Sequence, residues 1–172
     1  YVAFEPENLE ESVKSIKNFN IKGLSITIPF KIDIIPFLDE IDPLAKQIGA
    51  VNTIHNDNGK LIGYNTDGIG ALLSLKEKNV KLKNKSIAFL GYGGAARAIA
   101  YTLINEKPKE IIIWGIPDKM AEHLVSELKE VSNIPIRFVD IKDKVNYDVL
   151  IHCTPVGMWP KVDDMAIKKE YI

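Results

Sequence analysis

The sequence predicts an α/β fold composed of two units in succession. In residues 86–154, short runs rich in β-branched residues alternate with segments of helical periodicity, a pattern typical of a parallel sheet covered by helices on both faces. In the first half, two alternating runs flank Asn58 and Gly59, which indicates a β-hairpin. We therefore expect a first unit at residues 1–66 and a second at residues 67–172.

The first unit begins with "YVAFE", in which the alternation of residue types predicts a short strand. After "PEN", apolar residues recur at helical spacing and predict a helix: Leu9, Val13, Ile16 and Phe19. The run "GLSITIPF" predicts a second strand that Pro29 ends, because proline removes a donor from the ladder. Lys31 is therefore expected at the carboxyl end of a strand.

A mostly helical stretch is expected up to Ile48, followed by the hairpin strands "AVNTIHN" and "KLIGYNT". The next run, "GIGALLSLKEK", predicts a helix for which Asp67 is favoured as the N-cap. In the second unit, the predicted strands are "SIAFL", "EIIIW", "IRFV" and "DVLIHCT". A helix over 118–131 places one apolar stripe toward the core, consisting of Met120, Ala121, Leu124, Val125, Leu128 and Val131.

The loop "GYGGAA" follows the first of these four strands and precedes a helical segment. Gly91, Gly93 and Ala96 match the G-x-G-x-x-G/A fingerprint, in which the glycines turn the chain and let the backbone approach a pyrophosphate. The free N–H groups at the start of the helix then receive the phosphates. A tight packing turn is the alternative, but the flanking strand and helix favour a Rossmann-like dinucleotide site.

The end of the following strand does not reveal the cofactor. An acidic residue there would bind a ribose hydroxyl, whereas an arginine would accept a 2′-phosphate, and neither stands at this strand's end. Trp114 is a candidate to stack on adenine or to fill the core.

Composition limits the classes of partner and site. A formal net charge of −1 gives no excess of basic charge for nucleic acid or anionic lipid, and no apolar run approaches the length of a membrane span. The expected ligand is a small molecule and the expected location is the cytoplasm. The single cysteine, Cys153, is interpreted as a buried apolar residue. His55, His123 and His152 lack metal-ligand spacing and are interpreted as structural or exposed, so no metal is expected.

Polar side chains accompany the ends of several predicted strands, where open α/β sheets bind ligands. Each has an ordinary structural explanation: Thr27 as a strand residue, Lys31 as a solvated charge, Asn52 as a strand-edge hydrogen bonder and Asp67 as a helix cap.

Taken together, "ITIPFK", "GAVNTI", "GYNTDGIG", "LGYGGAARA" and "HCTPVGM" resemble, in order and spacing, the shikimate dehydrogenases. The resemblance covers essentially the whole chain. It implies NADPH-dependent reduction of 3-dehydroshikimate to shikimate in chorismate and aromatic amino-acid biosynthesis, by a monomer or homodimer. The active site would lie in a cleft between a substrate domain and a cofactor domain.

The resemblance also implies roles for individual residues. Lys31 matches the catalytic lysine and Asp67 its aspartate partner, while Thr27 and Asn52 match residues that hold substrate hydroxyls. The loop under the pyrophosphate corresponds to Gly91, Tyr92, Gly93, Gly94 and Ala95, and the segment from Thr154 to Met158 lies near the nicotinamide.

The chain departs from the family pattern in three places. Trp114 and Gly115 replace an Asn-Arg pair, which leaves NAD open beside NADP and makes an NAD-dependent quinate/shikimate dehydrogenase one alternative. The family's N-terminal serines would precede Tyr1, and its substrate-binding glutamine would follow Ile172. Weak turnover is expected if these segments are missing, and a non-catalytic dinucleotide-binding module is the alternative from another functional class.

Overall fold

The computed structural model describes residues 2–27 and 29–171, and the chain divides into two compact units, residues 1–66 and 67–172. Each unit contains one four-stranded sheet. The α/β fold class predicted from the alternating patterns is confirmed.

In the first unit, the strand order is β1-β3-β4-β2. β3 runs antiparallel to both of its neighbours, and β2 is parallel to β4. The strands are β1 (Gly23–Ser25), β2 (Glu40–Ile41), β3 (Thr53–Asp57) and β4 (Lys60–Tyr64), and the helices are α1 (Leu9–Asn18) and α2 (Pro43–Ile48), with a 3₁₀ turn at Ile35–Phe37.

The predicted hairpin is confirmed. Asp57 pairs with Lys60 across a two-residue turn, and Asn58 and Gly59 both have positive φ angles, 52° and 96°. This combination is the one that matches the twist of the flanking strands. The buried Asn56 holds the turn, because its side-chain oxygen accepts a hydrogen bond from the Gly59 N–H at 2.8 Å.

Helix α1 begins as its sequence indicates, but Phe19, which the spacing places on its apolar stripe, is the C-cap residue and is 77% exposed. The Asn8 side chain accepts a hydrogen bond from the Glu11 N–H at 3.1 Å, which caps the helix. Val13 and Ile16 are the buried residues of its apolar face. They pack in a core cluster with Ile34, Ala45, Val51, Ile54 and Leu61.

Three predictions for the first unit are wrong. Residues 2–8 form no strand, and Val2 and Phe4 are 72% and 77% exposed, because alternation alone does not supply a neighbouring strand. The strand predicted over "GLSITIPF" ends at Ser25, and Lys31 lies in a turn; Ile28 lies outside the described residues. The stretch expected to be mostly helical up to Ile48 contains turns, a 3₁₀ turn and β2 before α2 begins.

In the second unit, all four strands are parallel and lie in the order β7-β6-β5-β8. The chain moves outward from β5 to β7 and then returns to β8 on the opposite side of β5. The strands are β5 (Ser86–Leu90), β6 (Glu110–Gly115), β7 (Ile136–Asp140) and β8 (Val149–His152), and the helices are α3 (Asp67–Glu77), α4 (Gly94–Leu103) and α5 (Lys119–Glu130).

Burial of the central strands explains their β-branched runs. Every residue of β5 is buried, as is every residue of β6 after Glu110, because helices cover the sheet. In α5 the stripe predicted to face the core is buried only in part. Met120 and Val131 are 62% and 45% exposed, because they lie at the two ends of the helix on the margin of the stripe.

Candidate functional site

The three predicted site residues of the first unit lie at one edge of its sheet. The Ile26 N–H donates to the Asn52 carbonyl at 2.7 Å, which brings the segment after β1 beside the residue before β3. The Val51 N–H donates to the Lys31 carbonyl at 2.8 Å. Two backbone hydrogen bonds therefore hold Thr27, Lys31 and Asn52 in one neighbourhood.

The Asn52 side chain is held in a fixed orientation. Its Oδ1 accepts hydrogen bonds from the Thr66 N–H and the Thr53 hydroxyl, each at 2.9 Å. Its Nδ2 donates to Thr66 Oγ1 at 3.0 Å. Thr27 is exposed, whereas Lys31 and Asn52 are half-buried. The three residues thus bring a hydroxyl, an ammonium and an amide into one neighbourhood, and groups of these types can bind the polar groups of a small ligand.

Asp67 begins α3 in the second unit and is half-buried. The sequence favours it as the cap preceding a helix that starts at Gly68, whereas the observed helix begins one residue earlier. Gly68 is buried against α4, where a Cβ atom would overlap both Thr102 Oγ1 and the Ala98 carbonyl oxygen. The start of α3 is therefore fixed by close contact with α4.

The glycine loop turns directly after β5. Gly91 has a φ of 100°, a conformation that favours glycine. A Cβ atom at Gly91 would lie 2.9 Å from Thr154 Cγ2 and 3.3 Å from the Cys153 carbonyl oxygen. The loop after β8 therefore lies directly against this turn.

Gly93 and Gly94 differ from Gly91 in their surroundings. A Cβ atom at either position would meet nothing within 4 Å, and Gly93 is the N-cap of α4 with a φ of −73°. Neither steric crowding nor an unusual φ angle at Gly93 accounts for the absence of a side chain. Open space over the first N–H groups of a helix, at a glycine-rich turn, fits the pyrophosphate of a dinucleotide.

Tyr92 and Gly115 form a contact between the glycine loop and the end of β6. A Cβ atom at Gly115 would lie 2.9 Å from Tyr92 Cε1, so the ring occupies the space beside this glycine. Partial burial raises the pKa of the Tyr92 hydroxyl, and the carboxylate of Asp118 raises it further. Tyr92 is therefore neutral and half-buried, and its ring packs between the glycine loop and Gly115.

The prediction that Trp114 contacts the cofactor is contradicted by its position. Its side chain is completely buried, and its indole N–H donates to the carbonyls of Asp140 and Asp143, each at 3.1 Å. Its ring packs against Tyr147 and Tyr171, with centroids 6.3 and 6.0 Å away. A buried indole with a satisfied N–H offers no face to adenine, so Trp114 is a core residue.

The segment after β8 contains the remaining candidates. Met158 is 65% exposed. Burial raises the pKa of the Cys153 thiol to about 11, which suits an apolar residue and not a nucleophile.

His152, interpreted from the sequence as structural or exposed, has its Nε2 atom 2.6 Å from Thr154 Oγ1. The resemblance places Thr154 near the nicotinamide but gives His152 no role, although His-x-Thr at the carboxyl end of a strand was a usable signal.

None of the helices formed by residues 2–27 and 29–171 has the length and apolar character that a membrane crossing requires. The same residues contain no group of three or more histidine, cysteine, aspartate or glutamate side chains placed to hold a metal ion.

Comparison with protein families gives two adjacent matches. Residues 1–54 match the shikimate dehydrogenase substrate binding domain. Residues 74–158 match the shikimate / quinate 5-dehydrogenase family.

Individual relatives agree with these matches. The chain is 47% identical over 173 residues to a shikimate dehydrogenase (NADP(+)) of Methanosphaera stadtmanae, covering 96% of this chain and 60% of the relative. It is 44% identical to the enzyme of that name from Methanocaldococcus jannaschii, covering 98% of this chain and 62% of the relative. The chain thus spans about 60% of the length of these curated relatives.

Among solved structures, a shikimate dehydrogenase in complex with NADP⁺ superposes with a TM-score of 0.90 at 41% identity, covering 98% of this chain and 60% of that one. The Listeria monocytogenes shikimate 5-dehydrogenase in complex with shikimate and NAD also superposes with a TM-score of 0.90. Its sequence identity is 30%, and the match covers 100% of this chain and 64% of that one.

Proposed function

Since this chain belongs to the shikimate dehydrogenase family, we propose that its function is the reversible NADPH-dependent reduction of 3-dehydroshikimate to shikimate, a reaction of chorismate and aromatic amino-acid biosynthesis. The observation that carries the proposal is the grouping of Thr27, Lys31 and Asn52 at one edge of the first sheet. Residues 1–66 serve as the substrate-binding domain and residues 67–172 as the dinucleotide-binding domain.

Lys31 performs the proton chemistry in this proposal. When bound, the reduced nicotinamide supplies a hydride to the carbonyl carbon of the substrate. The electron pair of the C=O bond moves to oxygen, where the Lys31 ammonium stabilises the developing charge and donates a proton. Lysine then regains a proton from water. The hydroxyl of Thr27 and the amide of Asn52 bind substrate hydroxyls, and the Asp67 carboxylate accepts a hydrogen bond from one of them.

The glycine loop holds the cofactor in this proposal. The turn at Gly91 directs the chain into α4, and the open space at Gly93 and Gly94 receives the pyrophosphate. Tyr92 and Ala95 complete the loop, and Met158 lies beside the nicotinamide ring. Trp114 is not part of this site, because its side chain is buried in the core.

NAD is a second candidate cofactor, because no basic side chain stands directly after β6. The residue after Gly115 is Ile116, which is 68% exposed, and the next charged side chain is that of Asp118. Asp118 caps α5 by accepting a hydrogen bond from the Met120 N–H at 3.0 Å. A carboxylate binds a ribose hydroxyl and repels a 2′-phosphate. Comparing kcat/KM for both cofactors, with shikimate and with quinate, distinguishes the alternatives.

Replacing Lys31 tests the proposed activity. We expect K31A to lower kcat about 10²- to 10⁴-fold with little change in KM, because the lysine acts on the charge that develops in the transition state. The measurement is the absorbance of reduced nicotinamide during steady-state turnover of 3-dehydroshikimate.

K46A is the matched control, because Lys46 is an exposed lysine on α2 in the same unit. It should keep the wild-type kcat. A K31A variant with near-normal turnover would refute the role of the lysine, and dinucleotide binding without any turnover in the wild type would favour the non-catalytic module.

A further inference from the structure

We propose that His152 is a positioning residue for the nicotinamide half of the dinucleotide, acting through the hydroxyl group of Thr154. This inference rests on the proposed function, because it concerns the same dinucleotide site. It adds a residue that lies outside the glycine loop and has no role in the chemistry described above.

The strand order locates the ligand. The order in which strands are added to the sheet reverses between the parallel strands β5 and β8. Open α/β sheets bind dinucleotides in the crevice at such a switch point, outside the carboxyl ends of the strands. The strand after the glycine loop, β6, ends beside the adenosine ribose in such folds. The other half of the dinucleotide therefore extends over the end of β8, where His152 lies.

The backbone places His152 and Thr154 beside the glycine turn. Leu90 pairs with His152 across the two parallel strands, and the Cys153 N–H donates to the Leu90 carbonyl at 2.9 Å. The turns after both strands thus leave the sheet side by side. The Thr154 methyl group lies so close to Gly91 that a Cβ atom there would be 2.9 Å away.

The hydrogen bonds of Thr154 depend on the histidine. Its Oγ1 accepts from the Val156 N–H at 3.3 Å and lies 2.6 Å from His152 Nε2. A threonine hydroxyl has one proton to donate and two lone pairs to accept. When Nε2 carries a proton, His152 fills the second lone pair, and the hydroxyl proton is left to donate to a ligand. When Nε2 lacks a proton, the hydroxyl donates to the histidine instead.

The hydroxyl proton can bond to any oxygen acceptor, so the position of the ligand decides which group receives it. Over the end of β8, the nicotinamide half of the dinucleotide offers the carbonyl oxygen of its carboxamide. The pair therefore acts on the nicotinamide half alone. Its loss should change the affinity for the whole dinucleotide but leave the affinity for its adenosine portion unchanged.

The experiment measures two dissociation constants by calorimetry on the full chain. The ligands are NADP⁺ and 2′-phospho-ADP-ribose, which lacks nicotinamide, with NAD⁺ and ADP-ribose as the parallel pair. We expect H152A to weaken NADP⁺ binding about five- to tenfold, the effect of one lost hydrogen bond, with unchanged binding of 2′-phospho-ADP-ribose.

Three further variants test whether the two side chains act together. T154V keeps the shape of the side chain and removes the hydroxyl, so it should weaken NADP⁺ binding as much as H152A does. The double variant should bind NADP⁺ no more weakly than either single variant. H152Q should restore binding, because the glutamine amide can donate from near the position of Nε2. H123A is the control, since His123 is an exposed histidine on α5.

Equal weakening of both ligands in H152A would show a structural effect and overturn the inference, as would unchanged affinities or additive losses in the double variant. If the wild type binds dinucleotide and these variants match it, only the present inference fails. If the wild type binds neither ligand, the proposed function fails with it.

Discussion

At the scale of single residues, two glycines of one loop are glycine for different reasons. Gly91 has a φ of 100° and faces Thr154 and Cys153 at contact distance. Gly93 has an ordinary φ of −73° and open space where its side chain would be. The first is therefore required by the fold, whereas the second is explained by a ligand that occupies the space.

Alanine substitution should separate these two requirements. We expect G91A to lower the free energy of unfolding by roughly 1–3 kcal/mol, because the substitution combines a strained backbone with a crowded Cβ atom. G93A should cost less stability than G91A, since it loses only the N-cap preference of glycine over alanine, and should weaken dinucleotide binding at least tenfold, because its Cβ atom fills the space for the pyrophosphate.

Denaturant melts and calorimetric titrations measure the two effects. Since each variant serves as the control for the other, the informative result is a difference between them. A G93A variant that binds dinucleotide as well as the wild type does would show that the open space over α4 is not the pyrophosphate site.

At the scale of elements, the contact between α3 and α4 depends on one side chain being absent. Gly68 lies against the α4 backbone at Ala98 and the hydroxyl of Thr102, which itself donates to the Ala98 carbonyl at 2.9 Å. Gly70, two residues further along α3, faces open space. The two helices can therefore approach closely only at the first of these positions.

Two substitutions in the same helix should have opposite effects on stability. G68A should lower the free energy of unfolding by roughly 1–3 kcal/mol, because the new methyl group overlaps backbone that cannot move freely. G70A should raise it by about 0.5–1 kcal/mol, since alanine is the better helix former. Thermal and denaturant unfolding measure both, and a neutral G68A would contradict the close helix contact.

Helices α4 and α5 are joined by an ion pair. Nη1 and Nη2 of Arg97 both donate to the Glu127 carboxylate, with Nη2 and Oε1 2.8 Å apart, and the guanidinium lies 5.2 Å from the centre of the Tyr101 ring. The hydrogen bond from Arg97 is the main cause that lowers the pKa of Glu127. The side chains are only about a quarter exposed, so the pair is better shielded from water than most surface pairs.

This pair should make stability depend on pH in acid. Because the Glu127 pKa is lower in the folded state, the stabilisation is complete above the ordinary glutamate pKa and is lost as the pH falls through the lowered value. E127Q should therefore cost about 1 kcal/mol near neutral pH, and its difference from the wild type should shrink in acid. E130Q, which removes an exposed carboxylate from the same helix, should show neither effect in pH-dependent melts.

At the scale of the whole molecule, the sequence predicted the features that depend on neighbouring residues. The turn at Asn58 and Gly59 needs only two residues that accept positive φ, and the loop from β5 into α4 follows from local spacing. Several features that depend on distant partners were not predicted. The alternation in "YVAFE" could not supply a strand to pair with, and the length of β1 depends on hydrogen bonds to a segment nearly 30 residues away.

The candidate site shows the same division. The glycine loop was recognisable from spacing, whereas the neighbourhood of Thr27, Lys31 and Asn52 exists only through backbone hydrogen bonds between separate segments. Trp114 was misassigned because its neighbours Tyr147 and Tyr171 come more than 30 residues later in the chain.

The burial of Trp114 also gives the protein an internal optical probe. The chain contains two tryptophans, and the other, Trp159, is 86% exposed. The buried indole should emit at shorter wavelength and resist quenching by acrylamide, whereas Trp159 should emit like the free amino acid in water. Loss of the short-wavelength component therefore reports the opening of the core beneath β6, separately from any change in the loop that follows β8.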